Sequence, residues 1–334
     1  MSSLNTITVT GGAGYVGSEL VPALLEQGKE VRVLDLFIYG EEVFGEFNRH
    51  PNLKKMKGDI RDSSLLGKAF AGTDAVIHLA CISNDPSFDL NPKLGKSINL
   101  DAFGGILSSL EISEVTKFIY ASSSSVYGVR PEKAVYEDTQ KEPLTDYSRY
   151  KLMCEEKLQA WSNPTDVNWT ILRPATVCGY GGRLRLDLTV NLLTIHALAN
   201  RKIKIFGGQQ LRPNIHIKDM VRAYLTILDA DSAAVNREAF NAGYQNRSVE
   251  DIAYMVRDIL GESRIEIEHL PTDDVRSYHV SSEKIEKDLG FTTNHTIEDA
   301  ITGIVDAYNQ DRISDAMNNP FYYNIKRMQE IDLS

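Results

Sequence analysis

"TITVTGGAGYVGSEL", residues 6–20, decides how this chain folds. Residues 5–10 read as a β-strand, and residues 15–28 as a helix closed by Gly28. Between them, Gly12, Gly14 and Gly17 satisfy G-x-G-x-x-G, and Gly11, Gly14 and Gly17 satisfy the related GxxGxxG. Small residues there allow a tight turn, close approach of the main chain to a pyrophosphate, and close packing of helix on strand. The phosphates would then meet free N–H groups at a helix N-terminus, with Tyr15 and Val16 inside the turn. A glycine pattern alone is weak, but this one stands between a strand and a helix, which is the context the motif requires.

Working outward, "EVRVLDL" (30–36) is the second strand, and Asp35 ends it 18 residues after Gly17. A carboxylate at that place accepts hydrogen bonds from an adenosine ribose diol, and Leu36 follows it. It also repels a 2′-phosphate, and no arginine follows at once in "DLFIYGEE", so NAD is expected rather than NADP. Further strands are read at 53–59, 74–80, 117–123 and 168–174, with helical periodicity between them, as in 98–115. Strands alternating with helices imply a doubly wound parallel sheet with helices on both faces. After about residue 175 the rhythm loosens. Helices are expected at 188–200 and 219–230, and short strands at "KIKIF" (202–206) and "EAFNAG" (238–243). Ser248 with Asp251, and Thr296 with Asp299, have the spacing of helix N-caps with an acidic third residue. The expected organisation is a cofactor domain over 1–174, a smaller mixed α/β substrate region over 175–310 interleaved with the sheet, and a tail over 311–334 that packs down at its tyrosines.

The composition is that of a globular protein: 334 residues, 42% hydrophobic and 25% charged. A net charge of −10 argues against a general nucleic-acid or anionic-membrane surface, so an anionic ligand would be held by local arginines and backbone amides. The N-terminus has no basic region followed by an apolar run, and no stretch is long enough to span a bilayer. Cys81, Cys154 and Cys178 include no CxxC pair, which fits a reducing cytoplasm and no metal site.

Two further stretches carry chemistry. In "TDYSRYK" (145–151), only Tyr147 stands four residues before Lys151, which puts both on one helix face. By itself such a pair is usually a solvated face. "ASSSSVYG" (121–128) closes a predicted strand, and ligands in open α/β sheets sit at the strands' C-terminal ends. A hydroxyl there could bond the same substrate oxygen that Tyr147 reaches.

The glycine turn, Asp35, "HLA" after the fourth strand, "SSSSVYG" and "YSRYK" occur in one order. In this the chain resembles the extended short-chain dehydrogenase/reductase family, in its nucleotide-sugar epimerase/dehydratase group, to about residue 310. The resemblance implies a Rossmann-type fold, bound NAD and a nucleotide-diphosphate-sugar substrate. It makes Tyr147 the acid/base, its phenolate favoured by Lys151 and by the positive nicotinamide ring, with Lys151 also bonding the nicotinamide ribose. Ser123, three residues before the Val-Tyr-Gly, matches the catalytic serine, with Ser124 and Ser125 as neighbouring competitors. Asp59 and Ile60 match the adenine contacts, Leu79 and Ala80 backbone contacts to the cofactor, and Asn99 the asparagine behind the catalytic tyrosine. His78 is expected as a packed strand residue.

On the substrate side, Arg183 and Arg185 stand beside Asn191, which the resemblance places at the substrate's diphosphate; it matches Arg212 to an arginine on the nucleotide or phosphate and Arg276 to a second diphosphate arginine, with His216 and Asp219 structural. Thr176 and Cys178 stand where relatives often carry asparagine and tyrosine. The 4,6-dehydratases place an acidic pair where Ser124 and Ser125 stand, and the 3,5-epimerase/reductases a cysteine at Ser125. Hydride transfer at sugar C4 is therefore expected, first as a 4-epimerase, alternatively as a 4-dehydrogenase or ketoreductase, and least as a non-catalytic nucleotide sensor. The family also implies a homodimer built from the helices at 93–115 and 147–161.

Overall fold

The computed structural model describes residues 4–83, 85–130, 134–162, 164, 166–261, 265–272 and 279–331. Strands β1 (Thr6–Thr10), β2 (Glu30–Asp35), β3 (Leu53–Lys57), β4 (Ala75–His78), β5 (Lys117–Ala121) and β6 (Asn168–Pro174) come first. They are joined through helices α1 (Gly17–Glu26), α2 (Ser63–Phe70), α3 (Asp85–Leu90), α4 (Pro92–Lys96), α5 (Ala102–Glu111) and α6 (Asp146–Ala160). The second half contributes β7 (Thr176–Cys178), β8 (Lys202–Phe206), β9 (Leu211–His216), β10 (Glu238–Ala242), β11 (Gln245–Ser248) and β12 (Glu266–Leu270). Its helices are α7 (Thr189–Asn200), α8 (Ile217–Asp229), α9 (Ser232–Val235), α10 (Val249–Ile259), α11 (Glu283–Leu289), α12 (Ile297–Asn309) and α13 (Asn324–Ile331).

Seven strands form one parallel sheet in the order β3-β2-β1-β4-β5-β6-β10. Helices α1 and α8 cover one face, and α2, α5 and α6 the other. Burial on both faces explains why β1 and β5 are sealed along almost their whole length. Their polar groups are satisfied internally. The Thr8 hydroxyl donates to the Ala69 carbonyl at 2.9 Å, and the Lys117 ammonium donates to the carbonyls of Leu228 and Ala230 at 2.7 and 2.8 Å, closing the end of α8.

The segment at 238–243, read as a short strand of the looser half, is an edge strand of the main sheet, paired with β6 from Glu238↔Thr170 to Ala242↔Pro174. The substrate half adds two small sheets, β11-β9-β7 and β12-β8. Strands β7, β9, β11 and β12 escaped the sequence reading because they are three to six residues long and rich in polar residues. The helix expected over 98–115 is broken: a π-turn at Ser97–Asp101 separates α4 from α5. The Asn99 side-chain amide exchanges two bonds with the main chain of Ile82, at 2.8 and 2.9 Å, and the main-chain carbonyl of Asn99 accepts from the Cys154 thiol at 3.1 Å. These tertiary bonds compete with regular helical pairing. Both expected N-caps form reciprocal capping boxes, Ser248 with Asp251 and Thr296 with Asp299, and α6 opens with a third, Thr145 with Ser148. Among the described residues, no helix is long and apolar enough to cross a membrane.

Candidate active site

A cavity of about 510 Å³ lies at the C-terminal ends of β1, β2, β4, β5 and β6. It is where a doubly wound sheet binds its ligand. Every site residue expected from the sequence lines it, except three. Asn99 faces away, tied to Ile82. Asn191 is fully buried and bonded to Gly179 N–H at 2.9 Å, the Arg185 carbonyl at 2.8 Å and the Tyr15 hydroxyl at 3.1 Å, so it holds a loop rather than a ligand. Arg276 lies outside the described residues.

The glycine turn is shaped by contact. Gly11 has φ +72°, and a Cβ there would stand 2.5 Å from the main chain of Ala80; at Gly17 a Cβ would stand 2.3 Å from the Gly12 carbonyl oxygen. The N-cap residue of α1, Val16, makes no side-chain cap bond among the described residues, which leaves the helix N-terminus to a ligand. The Asp35 carboxylate accepts from the N–H groups of Phe37 at 2.7 Å and Ala13 at 3.0 Å, which fixes it beside the turn. Burial raises its pKa, and these two bonds oppose the rise. Beside Asp35, past the end of β3, Asp59 is paired with Arg61 at 2.6 Å. A cradle that tolerates no Cβ, a helix end without a cap and a carboxylate at the end of β2 fit a dinucleotide. Gly11, Gly14, Asp35, Ala80 and Lys151 would hold it.

Beyond the turn lies the hydroxyl cluster. Ser123 caps a short 3₁₀ turn (Ser124–Tyr127), and its oxygen accepts from the Ser125 N–H at 3.1 Å and the Ser125 hydroxyl at 2.8 Å. Ser123 and Tyr147 both face the cavity, and the Ser123 hydroxyl is close enough to oppose the rise in the Tyr147 pKa. Ser122, by contrast, turns back to Glu155 at 2.5 Å. Lys151 donates to the Ala121 carbonyl at 2.6 Å, and its ammonium stands 5.9 Å from the centre of the Tyr147 ring. Burial drives the Tyr147 phenol well above its ordinary value, reinforced by Cys81 and Asp85, while Ser123 and Arg185 oppose it. His78 is no rival base: burial holds its pKa near 3, its Nδ1 meets the Thr10 hydroxyl at 2.6 Å, and its ring stacks on Tyr120.

Under the serines runs a buried network that the sequence reading missed. Arg173 on β6 forms a two-pronged pair with Glu155 on α6, at 2.7 and 3.0 Å, and also donates to the Tyr127 hydroxyl at 2.7 Å. Glu155 stands one turn after Lys151, so a YxxxKxxxE spacing was the available signal. Tyr39, Ser83, Asp187, Asn324 and Met328 also line the cavity unannounced. Of these, only Asp187, a carboxylate two residues after Arg185 in an apolar stretch, had a local cue; the two pair at 2.9 Å.

The cavity explains what the comparisons with known proteins find. The model of the NAD dependent epimerase/dehydratase family matches residues 7–243. The UDP-glucose 4-epimerase of Lactobacillus helveticus is 28% identical over 275 residues, 76% of this chain and 82% of that protein. The dTDP-glucose 4,6-dehydratase of Streptomyces niveus is 26% identical over 329 residues, 92% of this chain and 93% of that protein. The crystal structure of UDP-glucuronic acid 4-epimerase from Bacillus cereus, with UDP-glucuronic acid and NAD, superposes with a TM-score of 0.82 at 26% identity, covering 91% of this chain and 99% of that one. Sheet order, glycine turn and hydroxyl cluster thus agree with sequence similarity that spans most of the chain, and the protein belongs to the NAD-dependent epimerase/dehydratase family of enzymes.

Proposed function

We propose that the protein is a nucleotide-sugar 4-epimerase. The observation that carries this reading is the convergence of Ser123, Tyr147 and Lys151 on one cavity, with only serines at positions 124 and 125. Elimination of water in the related 4,6-dehydratases relies on an acidic pair there. In the proposed reaction the Tyr147 oxygen takes the proton of the sugar C4 hydroxyl, and Ser123 holds the oxygen as it becomes a carbonyl. Bound NAD supplies the hydride acceptor and a positive charge that favours the Tyr147 phenolate against the burial that opposes it. The 4-keto sugar turns over within the cavity, the hydride returns to its other face, and Tyr147 gives the proton back. No net oxidation results. The substrate class is a nucleoside diphosphate hexose, in keeping with the UDP-sugar named for the Bacillus cereus relative.

A 4-dehydrogenase would share the first half of this reaction and release the ketone. Incubation with sugar nucleotides in D2O, with catalytic enzyme and no added NAD, separates the two by NMR of the sugar C4 proton. Epimerisation gives two C4 epimers without deuterium at C4. A hydrated ketone, at most stoichiometric with enzyme, overturns the epimerase in favour of the dehydrogenase.

We further infer a twofold homodimer through α5 and α6, where Ile112 at the end of α5 is 83% exposed and Met153 on α6 is 40% exposed. A monomer mass by light scattering at micromolar protein would count against it.

A further inference from the structure

Arg183 is not explained by the catalytic pair. Its N–H donates to the Ser18 hydroxyl at 2.9 Å, and the N–H of Gly182 donates to the Glu19 carboxylate at 2.8 Å. Ser18 and Glu19 lie in the first turn of α1, so this loop is pinned to the helix end that follows the glycine turn. The guanidinium is 1% exposed and stacks 3.5 Å over the ring of Tyr39. Its Nη2 donates to the Asn324 side-chain oxygen at 2.6 Å, and the Tyr39 hydroxyl donates to that same oxygen at 2.8 Å. Asn324 opens α13 and is itself anchored, by its N–H to Asp187 at 3.1 Å and by its Nδ2 to the Ser83 hydroxyl at 3.0 Å. Among the described residues, Nε of Arg183 has no hydrogen-bond partner. The nearby Asp187 is engaged by Arg185. Burial lowers the Arg183 pKa to about 10. A buried guanidinium with an unused donor and no carboxylate of its own is costly unless an anion completes it.

We propose that Arg183 binds the pyrophosphate of the dinucleotide cofactor, and that the C-terminal helix, through Asn324, positions it, so that the end of the chain clamps the cofactor in the cavity. A guanidinium fork matches phosphate oxygens in geometry and charge. The substrate's diphosphate offers the same chemistry. The cofactor is favoured because Arg183 is fastened to α1 and Tyr39, beside Asp35, whereas Arg185 bonds Ser83 at 3.1 Å and lies toward Tyr147. The clamp is independent of which reaction the sugar undergoes, since it concerns only retention of NAD.

The test uses the full chain, stripped of cofactor, and titrates NAD and UDP separately by calorimetry. Arg183→Gln should weaken NAD by about tenfold or more and leave UDP within about twofold. Arg183→Lys, which keeps the charge and loses the fork, should recover part of the NAD affinity. Asn324→Ala should speed the release of bound NAD by about tenfold, followed by exchange against excess ADP-ribose. Loss of UDP affinity with NAD unchanged would assign Arg183 to the substrate and overturn the proposal. So would equal losses for both ligands in the Gln and Lys variants, which is the mark of a merely structural residue. If the Gln variant does not fold, the Lys and Asn324→Ala variants decide by the same criteria, and NAD binding and release within twofold of wild type in both overturns the clamp.

Discussion

One wall of the cavity is main chain and the other is side chain. On the first, Gly11, Gly14 and the uncapped start of α1 sit at the ends of adjacent strands, and the shape follows from the absence of Cβ atoms. On the second, the stretch holding Arg183, Arg185 and Asp187 meets Asn324 from a distant segment, with Arg183 and Asn324 141 residues apart in sequence. The main-chain wall offers amides, which suit any phosphate. The side-chain wall offers charge and shape that depend on which residues happen to meet. Contacts made by the main chain and contacts made by side chains should therefore respond differently to substitution.

The largest effect expected is on turnover. Tyr147→Phe removes the proton acceptor and leaves the glycine turn untouched, so kcat should fall by about a hundredfold or more while NAD stays bound. Tyr150→Phe is the control, because Tyr150 packs on Phe88 and does not line the cavity. Retention of more than about a tenth of wild-type kcat by the Tyr147 variant would remove Tyr147 from its role.

Next comes the buried pair beneath the serines. Arg173→Met strands the Glu155 carboxylate, each partner being 1% exposed in its side chain, and should cost about 3–5 kcal/mol in urea unfolding. A loss below about 1 kcal/mol would mean that water or a rearranged neighbour satisfies the carboxylate.

Asp35 is a charged side chain fastened into the main-chain wall, and it should make NAD bind at least about tenfold tighter than NADP. Equal affinity in calorimetric titration would show that the carboxylate does not meet the ribose. Smallest is Ser248→Ala, which removes one capping bond in the substrate half, at 3.0 Å from the Asp251 N–H. It should lower stability by about 1 kcal/mol without changing NAD affinity. A change in NAD affinity there would blur the division between the walls.

How far the sequence could be read follows the same division. The strands at 6–10, 30–35 and 202–206 and the two capping boxes answer to neighbours within a few residues, and alternation, caps and turn glycines announce them. Asn99 and Asn191 had the right residue type in the expected places, yet their amides are consumed by main-chain groups of Ile82 and Gly179. No local pattern states whether an asparagine faces a ligand or a loop. Ser122 and Ser123 are adjacent and chemically identical, but one bonds Glu155 and the other Ser125, because successive side chains leaving a strand point to opposite sides.

The sequence by itself determined the parallel sheet, the phosphate turn and the Tyr147–Lys151 face, since each depends on spacing within one turn of helix or one strand-turn-helix unit. Tertiary structure alone decided that β10 returns to the edge of that sheet, that Glu155 and Arg173 meet beneath the serines, and that Asn324 reaches Arg183. Those contacts join residues 18 to 141 positions apart, and their partners are chosen by how helices pack on the sheet, which no window of sequence contains.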